Sequence, residues 1–341
     1  MNRIGSRVIA LAALAGCFSA TASAWGPDGH HTIGAIADQL IAGSNAGKQV
    51  AVLLDGLSLQ DAAVWADCVR GIDPSHDYAY TSAGKHPECL IYETPEGEAE
   101  MADFVRRNDT NCVRKATEES CHQQYHYSDV AIQRDRYQLG KTGTRNDDIV
   151  AATGAAIRVL QGEPAPAPFN IKDRREALLL LAHYVGDLHQ PLHVGAVYLD
   201  AKGARVDPDA SGYRSATDTR GGNQILVASR AHGSAKVNLH HTWDQIGADM
   251  TVFHVDADWV SEARAVPATA GSVSDWPAAW ATEALGQAQT AFAGLTFGRK
   301  NGDEWSVGLP ASYAATMSTI KRKQLTEAGA RLAQILEATW P

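Results

Sequence analysis

The stretch LLLLAHYVGDLHQPLHVG, residues 178–195, constrains the fold more than any other part of the chain. Four leucines and the apolar residues after them leave a helix here without a polar face, and such a helix runs through a protein interior. The same helix carries His183 and Asp187, four residues apart and therefore on one face. A buried imidazole and a buried carboxylate both need partners. Pro191 then disrupts the helix and lets His193 turn toward a different point. Two answers are open: a hydrogen-bonded pair inside an ordinary core, or a metal that satisfies all three side chains.

The spacing recurs. NLHHTWD at 238–244 places His240 and Asp244 four apart, while His241 points about 100° away and stands aside. The two pairs and His193 make five nitrogen and oxygen donors of the kind zinc takes. With 13 histidines in the chain, spacing alone does not exclude coincidence. AAVWADCVRG adds Asp67 with Arg70 three residues on; the pair suits a carboxylate on a metal beside a guanidinium on a phosphate, or a plain surface ion pair. QYHYSD adds His126, Tyr127 and Asp129, which would otherwise be a strand with a satisfied histidine.

The chain opens as a secretory leader. Arg3 and Arg7 precede an apolar run from Val8 to Phe18, and Ala22-Ser23-Ala24 is a small-x-small cleavage site. The run is shorter than the ~20 residues of a membrane span, so residues 1–24 are expected to be removed without leaving an anchor. The mature protein is then residues 25–341, periplasmic or secreted. Cys17 leaves with the leader, and Cys68, Cys89, Cys112 and Cys121 remain. An even number in an exported chain points to disulfides. Of the three possible pairings, local spacing favours Cys112–Cys121, which leaves Cys68–Cys89; no C-x-x-C spacing supports a cysteine zinc site.

Apolar residues at three-four spacing predict helices over 30–44, 147–162, 172–190, 275–295 and 312–339. Strand signals are few, and NQILVAS at 223–229 is the best. GEPAPAP at 162–168 breaks one helix from the next, 200–222 is a polar loop rich in glycine, and 71–125 is read as irregular. The expected fold is mainly α, a single helical domain with long loops and little strand.

Cleavage before Trp25 would create a free α-amine. That amine and the carbonyl of the same residue can chelate a metal through a five-membered ring, with His30 joining them if the first turn curls back. Tolerance of tryptophan at a new terminus would be the simpler explanation if the other motifs were absent.

Taken together the motifs resemble the zinc-dependent single-strand-specific nucleases of the plant and fungal mung-bean type, relatives of bacterial zinc phospholipase C. The matching parts run in order: W-x-x-x-G-H at 25–30, W-A-D-x-x-R at 65–70, H-Y-x-D at 126–129, H-x-x-x-D-x-x-Q-P-L-H at 183–193, G-G-N at 221–223 and N-L-H-x-x-W-D at 238–244. The resemblance implies three Zn²⁺. Asp67, His126, His183 and Asp187 would hold one; Trp25, His30 and the shared Asp187 a second; His193, His240 and Asp244 the third. The departure from the family pattern is a longer gap between Asp67 and His126, which contains His76, His86 and His122. The Tyr-x-Asp that follows His126 favours it over His122.

The formal net charge is −9 and no run of lysine or arginine forms a nucleic-acid stripe. Three zincs would bring six positive charges against three from the aspartates, so the site stays cationic inside an acidic protein and attracts a phosphodiester. The resemblance implies hydrolysis of single-stranded DNA or RNA to 5′-phosphate products, with 3′-nucleotidase activity open. Zinc would lower the pKa of a bound water toward ~7. Arg70 would neutralise phosphoryl charge, and Asp129 would orient water or bind a base edge. Tyr127 would offer a stacking face, which an unpaired base alone can use; Asn223 and Lys85 are weaker substrate candidates. No stable protein partner is expected. A zinc-dependent phospholipase C and a non-catalytic periplasmic zinc-binding protein are the alternatives. The chain has no G-x-S-x-G and no H-E-x-x-H, and LGKT at 139–142 lacks its upstream glycine because Asp135 stands there.

Overall fold

The computed structural model describes residues 25–112, 119–227 and 237–341. The expected leader, residues 1–24, lies outside the described residues, as does the end of the expected 223–229 strand.

Helix Arg174–Leu188 forms the axis of the molecule, and every residue from Glu176 to Leu188 is buried. Asp173 caps it by accepting from the Glu176 N–H. Pro191 ends it: His189 closes the helix, and Gln190 caps the short helix Pro191–Val194 through its side chain. Around this axis pack Ile149–Leu160, the C-terminal helix Tyr313–Thr339 and the short helices Leu59–Ala62 and Trp65–Cys68. The N-terminal helix Pro27–Ile41 lies along Tyr313–Thr339, and Trp276–Ala291 covers Pro191–Val194. One hydrophobic cluster, from Trp25 to Leu336, joins these elements. The expected helices over 30–44, 147–162, 172–190, 275–295 and 312–339 thus correspond to five of the observed ones, and the mainly α class holds.

Three differences from the sequence reading stand out. The region 71–125 is not irregular throughout, because Pro95–Asn108 is a helix. Thr94 caps it, Pro95 starts it, Glu96 and Glu98 fill its first turn and Arg106 and Arg107 its last. Two further helices, Asn45–Leu54 and Ala257–Arg264, have caps at Ser44 and Asp256. Strand content is larger than one segment: Ile225–Val227 joins a four-stranded sheet with Val237–Asn238, Glu304–Gly308 and Thr296–Asn301. The last two strands form a hairpin whose turn is Gly302-Asp303, with Gly302 at φ +61°.

Both disulfides form as the spacing favours, Cys68–Cys89 and Cys112–Cys121. A parallel pairing of Val130–Ala131 with Gly195–Ala196 lays the chain beyond His126 beside the chain beyond His193. Among the described residues no helix is long and apolar enough to cross a membrane.

Candidate metal centre

His183 and Asp187 project from the same face of the axial helix, with His183 Nε2 3.0 Å from Asp187 Oδ2. The His183 Nδ1–H donates to the Ala63 carbonyl at 2.7 Å, which leaves Nε2 of the neutral ring as a bare lone pair. His126, at the end of the turn Cys121–His126, brings Nδ1 to 3.0 Å from that Nε2 and 2.9 Å from Asp187 Oδ2. Asp67 completes the group: Oδ1 lies 3.9 Å from His183 Nε2 and 4.0 Å from His126 Nδ1.

His30 enters from the first turn of Pro27–Ile41. Gly186 makes room for it, since a Cβ there would lie 2.9 Å from His30 Nδ1. The ring stacks on His183, centroids 3.9 Å apart, and its Nε2 faces Asp187 Oδ1 at 3.3 Å. Among the described residues neither His30 nitrogen nor Asp187 Oδ1 has a hydrogen-bond partner, although all are buried. Trp25 is buried too, and the next residue is fixed by a bond from Gly26 N–H to the Asp244 carbonyl at 2.9 Å.

The third group repeats the logic. His193 Nδ1–H donates to the His126 carbonyl at 2.7 Å and His240 Nδ1–H to the Gly221 carbonyl at 2.9 Å. Their Nε2 atoms therefore face each other as lone pairs, 3.0 Å apart. Asp244 Oδ1 stands 3.7 Å from His240 Nε2 and 4.0 Å from His193 Nε2, held by the Gln190 amide at 2.8 Å. Gly221 is needed where it is: φ is +56° and a Cβ would lie 2.3 Å from the Leu192 carbonyl. The groups adjoin, because Ser128 N–H donates to the His193 carbonyl at 2.7 Å while His193 donates to His126.

Within each of the three groups the donor atoms lie within 4.8 Å of one another. Donors around a tetrahedral zinc stand about 3.4 Å apart, given bonds of ~2.0–2.2 Å. The closest nitrogen and oxygen pairs here span 2.9–4.0 Å. Buried lone pairs aimed at one another repel unless a cation lies between them, so the residues fit zinc.

Protonation reflects the same shortage of positive charge. Burial pushes the His193 imidazole well down and takes His240 to about 4. At His183 burial acts the same way, but the Asp187 and Asp67 carboxylates overcome it and lift the ring to about 9, so that without a metal a proton occupies Nε2 where a cation would replace it. Burial raises Asp187 to about 7 and holds Asp244 well above the usual carboxylate range.

The rim is more open than the ligand wall. The Asp67 and Arg70 side chains keep 17% and 12% of their exposure, and Arg70 Nη1 lies 3.4 Å from Asp67 Oδ1. Burial, and to a lesser extent the Arg70 charge, depress His126, His193 and His240. Tyr127 and Asp129 are half-buried next to His126. Burial and the neighbouring Asp218 hold the Asp129 carboxyl well above its ordinary value.

Other sequence candidates have local roles. Lys85 is exposed and donates to the Thr81 carbonyl. The Asn223 amide donates to the Arg220 carbonyl and accepts from Asn238. In the long gap, His76 is exposed on Asp73, and His122 packs edge-on against Phe104 rather than joining His183. Sequence reasoning passed over Gln190 and Gly221, although both lie inside motifs it used.

Comparison with known proteins agrees with this geometry. The family described as S1/P1 Nuclease matches residues 25–340. Endonuclease 5 of Arabidopsis thaliana is 25% identical over 92% of this chain and 89% of its own length. Endonuclease 1 of the same plant is 25% identical over 96% and 91%, and Endonuclease 4 is 28% identical over 47% and 49%.

Proposed function

The chain belongs to the S1/P1 nuclease family, and from that premise we propose a trinuclear-zinc phosphodiesterase that cuts single-stranded DNA and RNA and leaves 5′-phosphates. Membership makes the protein a nuclease acting on nucleic acid, in a zinc-dependent family, and sets aside the phospholipase and non-catalytic alternatives. The finer reading has Asp67, His126, His183 and Asp187 on one zinc. Trp25, His30 and Asp187 take a second, and His193, His240 and Asp244 the third. The observation that carries it is the facing of buried imidazole nitrogens, His193 against His240 and His183 against His126, each 3.0 Å apart beside aspartate.

Zinc there supplies Lewis acidity and a water acidified toward neutral pH. The chain's own residues do the rest. Arg70, at the rim, offers its guanidinium to the phosphoryl oxygens. Tyr127 gives an unpaired base a face to stack on, which a base inside a duplex cannot use. Asp129, whose carboxyl burial and Asp218 hold well above its ordinary value, orients a water or binds a base edge. Residues 25–341 act as one domain, and the two disulfides suit an exported protein, periplasmic or secreted, with 1–24 as its leader.

The test uses protein trimmed to Trp25. Three zincs per chain by metal analysis, faster cleavage of single-stranded than duplex DNA, and products that accept ligation through a 5′-phosphate are expected. Products with 5′-hydroxyl ends, or full activity in zinc-free protein, would overturn the proposal.

A further inference from the structure

The helix Leu239–Asp244 carries two of the three donors of the third group, and its C-terminal carbonyls are held from outside. Gly26 N–H takes the Asp244 carbonyl. Lys321, on the C-terminal helix, places Nζ 2.8 Å from the Thr242 carbonyl and also donates to the Gln245 carbonyl. The residue is buried, 3% exposed, and the Trp243 ring centroid lies 5.8 Å from Nζ. Among the described residues no carboxylate oxygen lies within ion-pairing distance of it. A buried ammonium without an anion is costly. Here it sits at the negative end of aligned peptide dipoles, which offsets part of that cost. The carbonyls it grips flank Asp244, whose Oδ1 is fixed from the other side by Gln190.

We infer that Lys321 is a positioning residue of the third metal site: its ammonium pins the last turn of helix Leu239–Asp244, so that His240 and Asp244 hold their places opposite His193. The inference rests on the zinc assigned above to His193, His240 and Asp244. Two effects oppose each other. A cation near a dication repels it, and removing Lys321 would then tighten zinc. The pinned geometry favours zinc, and removing Lys321 would then loosen it. Geometry wins, because Lys321 grips the Thr242 and Gln245 carbonyls by direct hydrogen bonds, whereas it acts on the Asp244 carboxylate only through space, without an ion pair.

The test is zinc titration of the full mature chain against a competing chelator. Lys321→Met keeps the length and removes the donors. It should lower affinity for one zinc by about 10–100-fold, the usual effect of losing an outer partner, while two zincs stay bound. Raising free zinc should restore activity, which a general packing defect would not allow. Lys321→Arg should retain most of the affinity. Three zincs of unchanged or higher affinity in Lys321→Met overturn the inference. If that variant does not fold, Lys321→Gln, which keeps a donor but not the length or charge, is titrated with the same expectation and the same overturning result. His193→Ala in the otherwise native chain separates the premise: loss of one zinc upholds the site, whereas retention of all three overturns the site assignment and the inference with it.

Discussion

Asp187 is the one side chain that the proposed arrangement assigns to two metals, and replacing it with asparagine tests that arrangement most directly. Oδ2 lies 2.9 Å from His126 and 3.0 Å from His183, and Oδ1 lies 3.3 Å from His30. Asparagine keeps the shape, loses the charge and puts an NH₂ at one of the two oxygen positions, where donors would point at a cation. Both neighbouring zincs should be lost and the third kept, so metal content falls from three to one per chain. The energetic size follows from linkage. A ligand present at 100 times its Kd adds ~2.7 kcal/mol to stability, so two sites add about 5 kcal/mol. At ~2–4 °C per kcal/mol for a large domain, the zinc-induced rise in Tm should shrink by about 10–20 °C. Melting is measured with and without zinc in both proteins, and each protein's own zinc-induced shift is compared; the intrinsic effect of asparagine on the apo fold then cancels. Retention of all three zincs, or loss of just one, refutes the sharing.

Three further outcomes follow. One added alanine before Trp25 should remove the chelating amine, cost one zinc and lower activity at least 100-fold; a fully active extended protein rules out terminal chelation. Tyr127→Ala should raise KM for oligonucleotides about 5- to 100-fold, the equivalent of ~1–3 kcal/mol of stacking, with little change for a small chromogenic diester. Equal effects on both substrates count against stacking. Replacing Cys68 and Cys89 by serine should cost about 3 kcal/mol of stability, as expected for a loop of this length, and should also weaken zinc at Asp67, His126 and His183. A fall in Tm with zinc affinity unchanged shows the bridge to be structural only.

The parts of the fold that were legible in the sequence are those where one residue pattern dictates one environment. A helix with leucine on every side had to be central, and Arg174–Leu188 is. Four-residue spacing put His183 with Asp187 and His240 with Asp244 on common faces because helix geometry allows nothing else. Helix Pro95–Asn108 escaped through weight given to its polar body rather than its ends, although Thr94, Pro95 and the terminal charges spelled out a start and a stop. The Thr296–Asn301 and Glu304–Gly308 hairpin had its turn signal in Gly302-Asp303. Other features had no local signal. That His126 rather than His122 meets His183 was indicated by the Tyr-x-Asp of the family motif alone, and physically it depends on how the turn Cys121–His126 is seated against the axial helix. Lys321 reads as one more surface lysine of a long helix until Thr242 and Gln245 are brought to it.

The three groups are also built on unequal foundations, and this decides where the centre should fail first. His183, Asp187, His240 and Asp244 stand on helices whose backbone fixes the spacing. Asp67 stands on the single-turn helix Trp65–Cys68 and His126 ends the turn Cys121–His126, and each adjoins a disulfide. Cys68 follows Asp67 directly and is bridged to Cys89; Cys121 opens the turn that ends in His126 and is bridged to Cys112. A turn cannot hold a donor to a few tenths of an ångström by its own hydrogen bonds, so the covalent links do what helical register does elsewhere. The Asp67 side is also the more exposed side, beside Arg70. The centre is therefore rigid at its buried wall and cross-linked at its open rim. Loss of the cross-links should release the rim donors while His193, His240 and Asp244 keep their zinc.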